Sequence, residues 1–151
     1  MYYLLEKARR KRNKGFTLVE LLVVIVVLAV LAAIVLPKFM NSSKRSKESA
    51  LRSDLKLLRN AVDLFRTDTG LYPKTMADLA ATAKPDKGLN ADATESTINA
   101  ADWHGPYLQE VPDDPITGAA DWTYSVTSGT VGEIHSSTAE KAMDATDYKT
   151  W

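Results

Sequence analysis

Glu20 stands where a carboxylate is least at home. It is preceded by Phe16, Thr17, Leu18 and Val19 and followed by sixteen consecutive apolar residues, Leu21 to Leu36. A charged group within a spanning helix costs about 2.5–3.5 kcal/mol on insertion scales, so such residues usually mark a functional pairing. A partner is available four residues upstream. If the chain is cut behind Gly15, Phe16 gains a positive α-amino group one helical turn from Glu20. In a bundle of such helices the amine of one chain can meet the carboxylate of the next. Opposite charges about 4 Å apart attract by about 4 kcal/mol at an effective dielectric near 20, before desolvation is counted. Such a pair sets the axial stagger between subunits, while the Leu, Val and Ile surface supplies the cohesion. The alternative is a carboxylate that snorkels to the headgroups near the start of the helix.

Other reactive chemistry is sparse. The chain has two histidines, His104 and His135, and no cysteine. It carries no Gly-rich phosphate loop and no nucleophile elbow, and two distant histidines without cysteines make no zinc site. An enzyme is therefore disfavoured. A single-pass sensor or adaptor leaves the position of Glu20 beside Gly15 unexplained.

The element that must hold Glu20 is a helix. Phe16 to Leu36 as α-helix rises roughly 31 Å, against ~30 Å of bilayer hydrocarbon. Only one span fits, because no second stretch of this kind follows Pro37. Residues 1–15 carry six basic side chains and Glu6, a net +5, which places them in the cytoplasm and the C-terminal part outside. Lys38, Lys44, Arg45 and Lys47 on the far side oppose that bias with fewer charges. A conventional secretory signal has an apolar core of about 7–15 residues and a small-residue cleavage site. Here the block is longer and runs into Pro37-Lys38-Phe39.

Beyond the span, Leu51, Leu55, Leu58, Val62 and Phe65 recur at helical spacing. Arg52, Asp54, Lys56, Arg59, Asp63 and Arg66 between them form a solvated face, and Gly70 after Thr69 is a C-terminal stop. The simplest expectation is one helix from Phe16 to Thr69, roughly 80 Å long. Pro37 inside it removes a backbone hydrogen bond, and it marks either a kink or merely the membrane boundary.

The remaining residues must cover the stripe. Met76, Leu79, Ala80 and Ala83 predict a short helix, and residues 84–102, rich in Asn, Asp, Thr and Ala, predict a loop. Trp122, Tyr124 and Val126 alternate with polar residues, Thr127-Ser128-Gly129 can turn the chain, and Thr130 to His135 can return, which predicts a small antiparallel sheet. Trp103, Tyr107, Trp122, Tyr124 and Trp151 are expected as core anchors of this head rather than a ligand box. Residues 70–151 hold thirteen acidic and five basic side chains, which argues against nucleic acid as a partner. Without disulfides, so small an acidic head has a reason to use an ion as a staple.

The run Lys14-Gly15-Phe16-Thr17-Leu18-Val19-Glu20-Leu21-Leu22-Val23-Val24 resembles the class III signal of type IV prepilins and type II secretion pseudopilins. The resemblance implies an α+β, pilin-like fold with a long N-terminal helix on a small antiparallel sheet head. It also implies cleavage between Gly15 and Phe16 by a prepilin peptidase, N-methylation of Phe16, and assembly through Glu20, with Pro37 matching the family's helix-kinking proline. The implied organisation is a cleaved basic leader at 1–15, a membrane and assembly helix at 16–36, an amphipathic stem at 37–69 and an extracytoplasmic head at 70–151. The implied partners are further copies of the chain in a homopolymer, minor pseudopilins or pilins, the peptidase, an inner-membrane assembly platform with its own ATPase, and membrane lipid before assembly.

Gly70-Leu71-Tyr72-Pro73, Gly105-Pro106-Tyr107-Leu108 through Asp114-Pro115, and the ending Asp144-Ala145-Thr146-Asp147-Tyr148-Lys149-Thr150-Trp151 are similar to the secretion branch of the family, and to its major subunit. A subunit of a type IV pilus used in adhesion, motility or DNA uptake is the alternative. Resemblance to the secretion branch points to Asp144 and Asp147 as ligands of one calcium ion, with Val111 to Asp114 as a second wall. Against this, Thr138-Ala139-Glu140-Lys141 stands where that branch has more glycine and another aspartate. A solvated acidic tail therefore remains the other reading.

Overall fold

A computed structural model describes residues 15–151. The basic leader, except for Gly15, lies outside the described residues. The chain divides into two compact units, one ending at Met40 and the other spanning Asn41–Trp151. A single α-helix, α1 (Leu18–Thr69), contributes to both.

In the first unit the backbone stays helical through Pro37. Pro37 has no N–H, so the carbonyl of Ala33 lacks its usual helical donor. The large apolar side chains from Leu18 to Leu36 are all uncovered, from 43% exposed at Val35 to 87% at Leu18. This stretch is long and apolar enough to cross a membrane. Uncovered apolar surface of this extent needs lipid or other protein around it.

In the second unit α1 becomes one-sided. Leu51, Leu55, Leu58, Ala61, Val62 and Phe65 are buried, the whole expected stripe with Ala61 added. Each large aliphatic or aromatic side chain so buried contributes about 1.5–3 kcal/mol of transfer free energy. The helix stops where the sequence places the stop. Gly70 has φ +72°, and its N–H donates to the Arg66 carbonyl at 2.8 Å, the left-handed cap that glycine adopts without penalty. The Thr69 hydroxyl then donates to the carbonyl of Phe65 and receives the Leu71 N–H, turning the chain back along the stripe.

The head is built from short pieces. A 3₁₀ turn at Met76–Ala80 brings Leu79 into the core. The expected helix is thus shorter and tighter than its apolar pattern indicates, and Ala83 is not part of it. Residues 84–102 are not wholly loop: β1 (Lys87–Leu89) and β2 (Glu95–Thr97) pair antiparallel, with Gly88 opposite Ser96. The hairpin closes over an Asn90–Thr94 turn in which Asp92 accepts hydrogen bonds from the Thr94 N–H and hydroxyl. Lys74 and Lys87 flank Glu95 and hold its carboxyl at about 2. At Gly88 a Cβ would lie 2.8 Å from the Leu71 Cβ and 2.9 Å from the Tyr72 carbonyl oxygen, so only glycine lets the hairpin approach the post-helix turn.

The second antiparallel pair is β3 (Thr123–Tyr124) with β4 (Ile134–His135), in register Thr123 with His135 and Tyr124 with Ile134. The sheet component is therefore two separate two-stranded ribbons, and the expected strand from Trp122 to Val126 is cut to its centre. Val126, expected in a strand, is 47% exposed. Of the five expected aromatic anchors only Trp122 is buried, while Trp103, Tyr107, Tyr124 and Trp151 are half-buried against the core. Three of these residues place a polar end on a partner. Trp122 donates Nε1–H to the Pro112 carbonyl, Tyr124 donates to the Pro73 carbonyl and Tyr107 to Asp68. The most deeply buried aromatic residues are Phe65 and Tyr148.

Phe65 belongs to the same core cluster as Leu79, and its ring lies 5.4 Å from that of Tyr107. Phe65→Ala is expected to destabilise the head by about 3–5 kcal/mol, the usual result of a large buried deletion. Chemical denaturation followed by tyrosine and tryptophan fluorescence would measure it. The exposed Leu64→Ala, one residue along the same helix, should shift the midpoint little.

Candidate functional site

Gly15, Phe16 and Thr17 precede the first helical residue and adopt no regular secondary structure. The Gly15–Phe16 peptide bond is therefore in exposed, non-helical chain, with Phe16 81% exposed. Nothing lies within 4 Å of the place a Cβ on Gly15 would occupy.

Glu20 is placed by a capping box. The Thr17 hydroxyl receives the Glu20 N–H at 3.2 Å, and the Glu20 carboxylate receives the Thr17 N–H at 2.9 Å and its hydroxyl at 2.8 Å. Two backbone donors that a helix N-terminus leaves open are satisfied by this exchange. The expectation concerned Glu20 and the amine of a neighbouring chain; within the single chain, Thr17 occupies the carboxylate instead. Thr17 is the functional residue that the sequence reading passed over. Its signal was present, since Thr17-Leu18-Val19-Glu20 has the capping-box spacing. The Thr17 carbonyl also accepts the Leu21 N–H, the first bond of the helix.

The residues expected around calcium are distributed differently. Asp144 and Asp147 lie in one tight loop, closed by the pairing of Lys141 with Asp147. Asp144 spends Oδ1 on the Thr146 N–H and hydroxyl, at 3.0 and 2.6 Å, and these bonds hold its carboxyl below the usual range. Asp114, in the expected second wall, is fully buried and accepts from the Ile116 N–H and the Ser136 hydroxyl. The Pro112 carbonyl of that wall is taken by Trp122. Calcium asks for roughly six to eight oxygens. Among the described residues no three His, Cys, Asp or Glu side chains converge on a common point. The donor set as folded does not fit the ion. The histidines form no pair either: His104 sits 3.5 Å from Asp68, and His135 contacts the Ser136 carbonyl.

Comparison with known proteins agrees with both halves of this arrangement. Residues 10–36 match the prokaryotic N-terminal methylation motif. Residues 38–149 match the family model described as type II secretion system, protein G. The chain belongs to the type II secretion protein G family. Curated relatives named type II secretion system core protein G include that of Pseudomonas aeruginosa, 32% identical over 110 residues, covering 69% of this chain and 78% of the relative. The relative from Pectobacterium carotovorum is 34% identical over 107 residues, 69% of this chain and 62% of its own. That from Aeromonas hydrophila is 33% identical over 112 residues, 71% and 70% respectively. No solved structure gives a significant match. Protein G family members are structural subunits, and the N-terminal apolar helix fits an inner-membrane anchor.

The capping box gives this site its own test. Thr17→Ala removes both hydroxyl bonds, and an N-cap Thr→Ala change typically costs about 0.5–2 kcal/mol. Amide exchange at Glu20 and Leu21 of the micelle-embedded protein should accelerate by a matching factor, with Thr17→Ser close to wild type and the stem amides unaffected.

Proposed function

We propose that this chain is the major pseudopilin of a type II secretion system, a subunit made as a precursor and polymerised to drive export of folded proteins. The observation that carries this reading is the join of an exposed Gly15–Phe16 bond to a capped Glu20 and a wholly uncovered apolar helix, in a chain matching both family models. A prepilin peptidase cuts between Gly15 and Phe16 and methylates the new Phe16 nitrogen. The +5 leader stays cytoplasmic and the head faces the periplasm.

Glu20 then changes partners. In lipid, Thr17 satisfies it within its own chain, which lowers the penalty of holding a carboxylate near the bilayer. In the filament the Phe16 amine of a neighbouring copy offers a charged donor at the same depth. An ammonium–carboxylate pair adds charge–charge attraction that the uncharged Thr17 N–H and hydroxyl donors do not supply, and this favours assembly. The uncovered Leu, Val and Ile surface of α1 packs against the helices of other copies and supplies the cohesion. Pro37 leaves the carbonyl of Ala33 open, a point at which the helix can adjust as subunits leave the bilayer. The minor pseudopilins and the inner-membrane platform complete the machine, and the platform supplies the energy.

A strain lacking this gene, complemented with variants, tests the reading through precursor size and the location of secreted enzymes. Gly15→Leu is expected to leave the full-length precursor in the membrane and the enzymes trapped in the periplasm. N-terminal sequencing of assembled wild-type protein should start at methylated Phe16; a start at Met1 would overturn the processing scheme.

Glu20→Ala is expected to insert and be cleaved normally, yet to polymerise poorly and secrete little, with Val19→Ala as the control that behaves like wild type. Filaments built by Glu20→Ala at the wild-type rate would rule out the pairing. Lost surface fibres with normal secretion in the deletion strain would point to a long pilus instead.

A further inference from the structure

The C-terminal loop, where calcium was expected, is held by side chains of the stem helix. Lys44, Glu48 and Arg52 follow one another at four-residue intervals, which places them on one face of α1. All three reach the loop. The Lys44 ammonium donates to the Lys141 carbonyl at 2.7 Å. A single Glu48 oxygen accepts the Met143 N–H at 2.7 Å and the Tyr148 hydroxyl at 3.0 Å. The Arg52 guanidinium lies 3.7 Å over the centre of the Trp151 ring. Two turns further, Arg59 donates to the Ile134 carbonyl at 2.9 Å and to the carbonyl of Trp151.

We infer that the loop Lys141–Trp151 is clamped to the stem by Lys44, Glu48 and Arg52, and closes without a divalent cation. Three features carry this. First, several oxygens in and around the loop already have donors: Asp144 Oδ1 has Thr146, Asp114 has Ile116 and Ser136, and the Lys141 carbonyl has Lys44. Second, two of the clamp's three side chains are themselves cations, held at the loop by an ammonium–carbonyl bond and by stacking on Trp151. A cation arriving beside them meets like charge. Third, the clamp acts on the part of the loop an ion would order. Glu48 fixes a backbone N–H at Met143 and the buried ring of Tyr148, on either side of Asp144 and Asp147. The Tyr148 hydroxyl is correspondingly hard to ionise, pushed up to about 12 by burial and by the Glu48 carboxylate.

Limited proteolysis and thermal melting of the mature full-length protein in detergent micelles test the clamp. A lysine-specific protease that does not need calcium reports loop opening through cleavage after Lys141. Wild type should be cleaved at the same rate, and melt at the same temperature, in excess EGTA and in millimolar calcium. Glu48→Ala should speed cleavage about tenfold in both buffers, because local opening controls access. Glu48→Gln keeps an acceptor oxygen and should stay near wild type. Chelation that speeds wild-type cleavage about tenfold or lowers its melting temperature would overturn the inference, as would Glu48→Ala cleaved at the wild-type rate. If Glu48→Ala fails to fold, the wild-type comparison and Arg52→Met, which should loosen the loop equally with or without calcium, decide the matter.

Discussion

Burial of one stripe on α1 is the constraint on which the head depends. Leu51, Leu55, Leu58, Ala61, Val62 and Phe65 present a continuous apolar surface that no water-facing helix can leave open. The residues that cover it come from segments with almost no regular structure: a 3₁₀ turn, two ribbons of two or three residue pairs, and long irregular connections. An isolated two-stranded hairpin is marginally stable at best in water. Neither ribbon explains the head; the helix does, by giving Leu79, Ile98, Ile134 and Tyr148 a common surface to pack on.

The same helix carries two incompatible environments in succession. From Leu18 to Leu36 its apolar residues face outwards all round, and from Leu51 onwards they face one way. Stem charges once assigned to solvent also have partners in the head. Arg52 stacks on Trp151, Arg66 lies 4.8 Å over Tyr72, and Arg59 bonds the β4 backbone. Long basic side chains can lay apolar stems along a core edge while their heads find acceptors, so the boundary between buried stripe and solvated face is gradual.

Periodicity made the helix legible, because a stripe of 3.6-residue spacing and an apolar run of membrane length are both written in residue type alone. Gly70 marked the stop for a local steric reason. The processing site proposed above was inferred from the oddity of one carboxylate. The β1–β2 hairpin was not, since Glu95, Ser96 and Thr97 place no apolar side chain in the core and so leave no alternation to detect. Nor was the fate of Asp144, because acidic residues near a chain turn look alike whether they cap Thr146 or hold an ion. Lys44 and Glu48 escaped notice for a similar reason. Their partners lie 97 and 95 residues away, and nothing in a stem sequence announces which loop will return to it.

The helix begins at Leu18, with Thr17 as its cap, while the bond proposed for cleavage lies upstream at Gly15–Phe16. Everything that starts the helix therefore belongs to the product of the cut. Proteolysis changes the charge and length of the tail without touching a hydrogen bond of α1 among the described residues. On the processing scheme proposed above, maturation is a change of label rather than of shape: the bonds that start α1 lie wholly downstream of the cut, and only the free end acquires the means to be recognised by another copy.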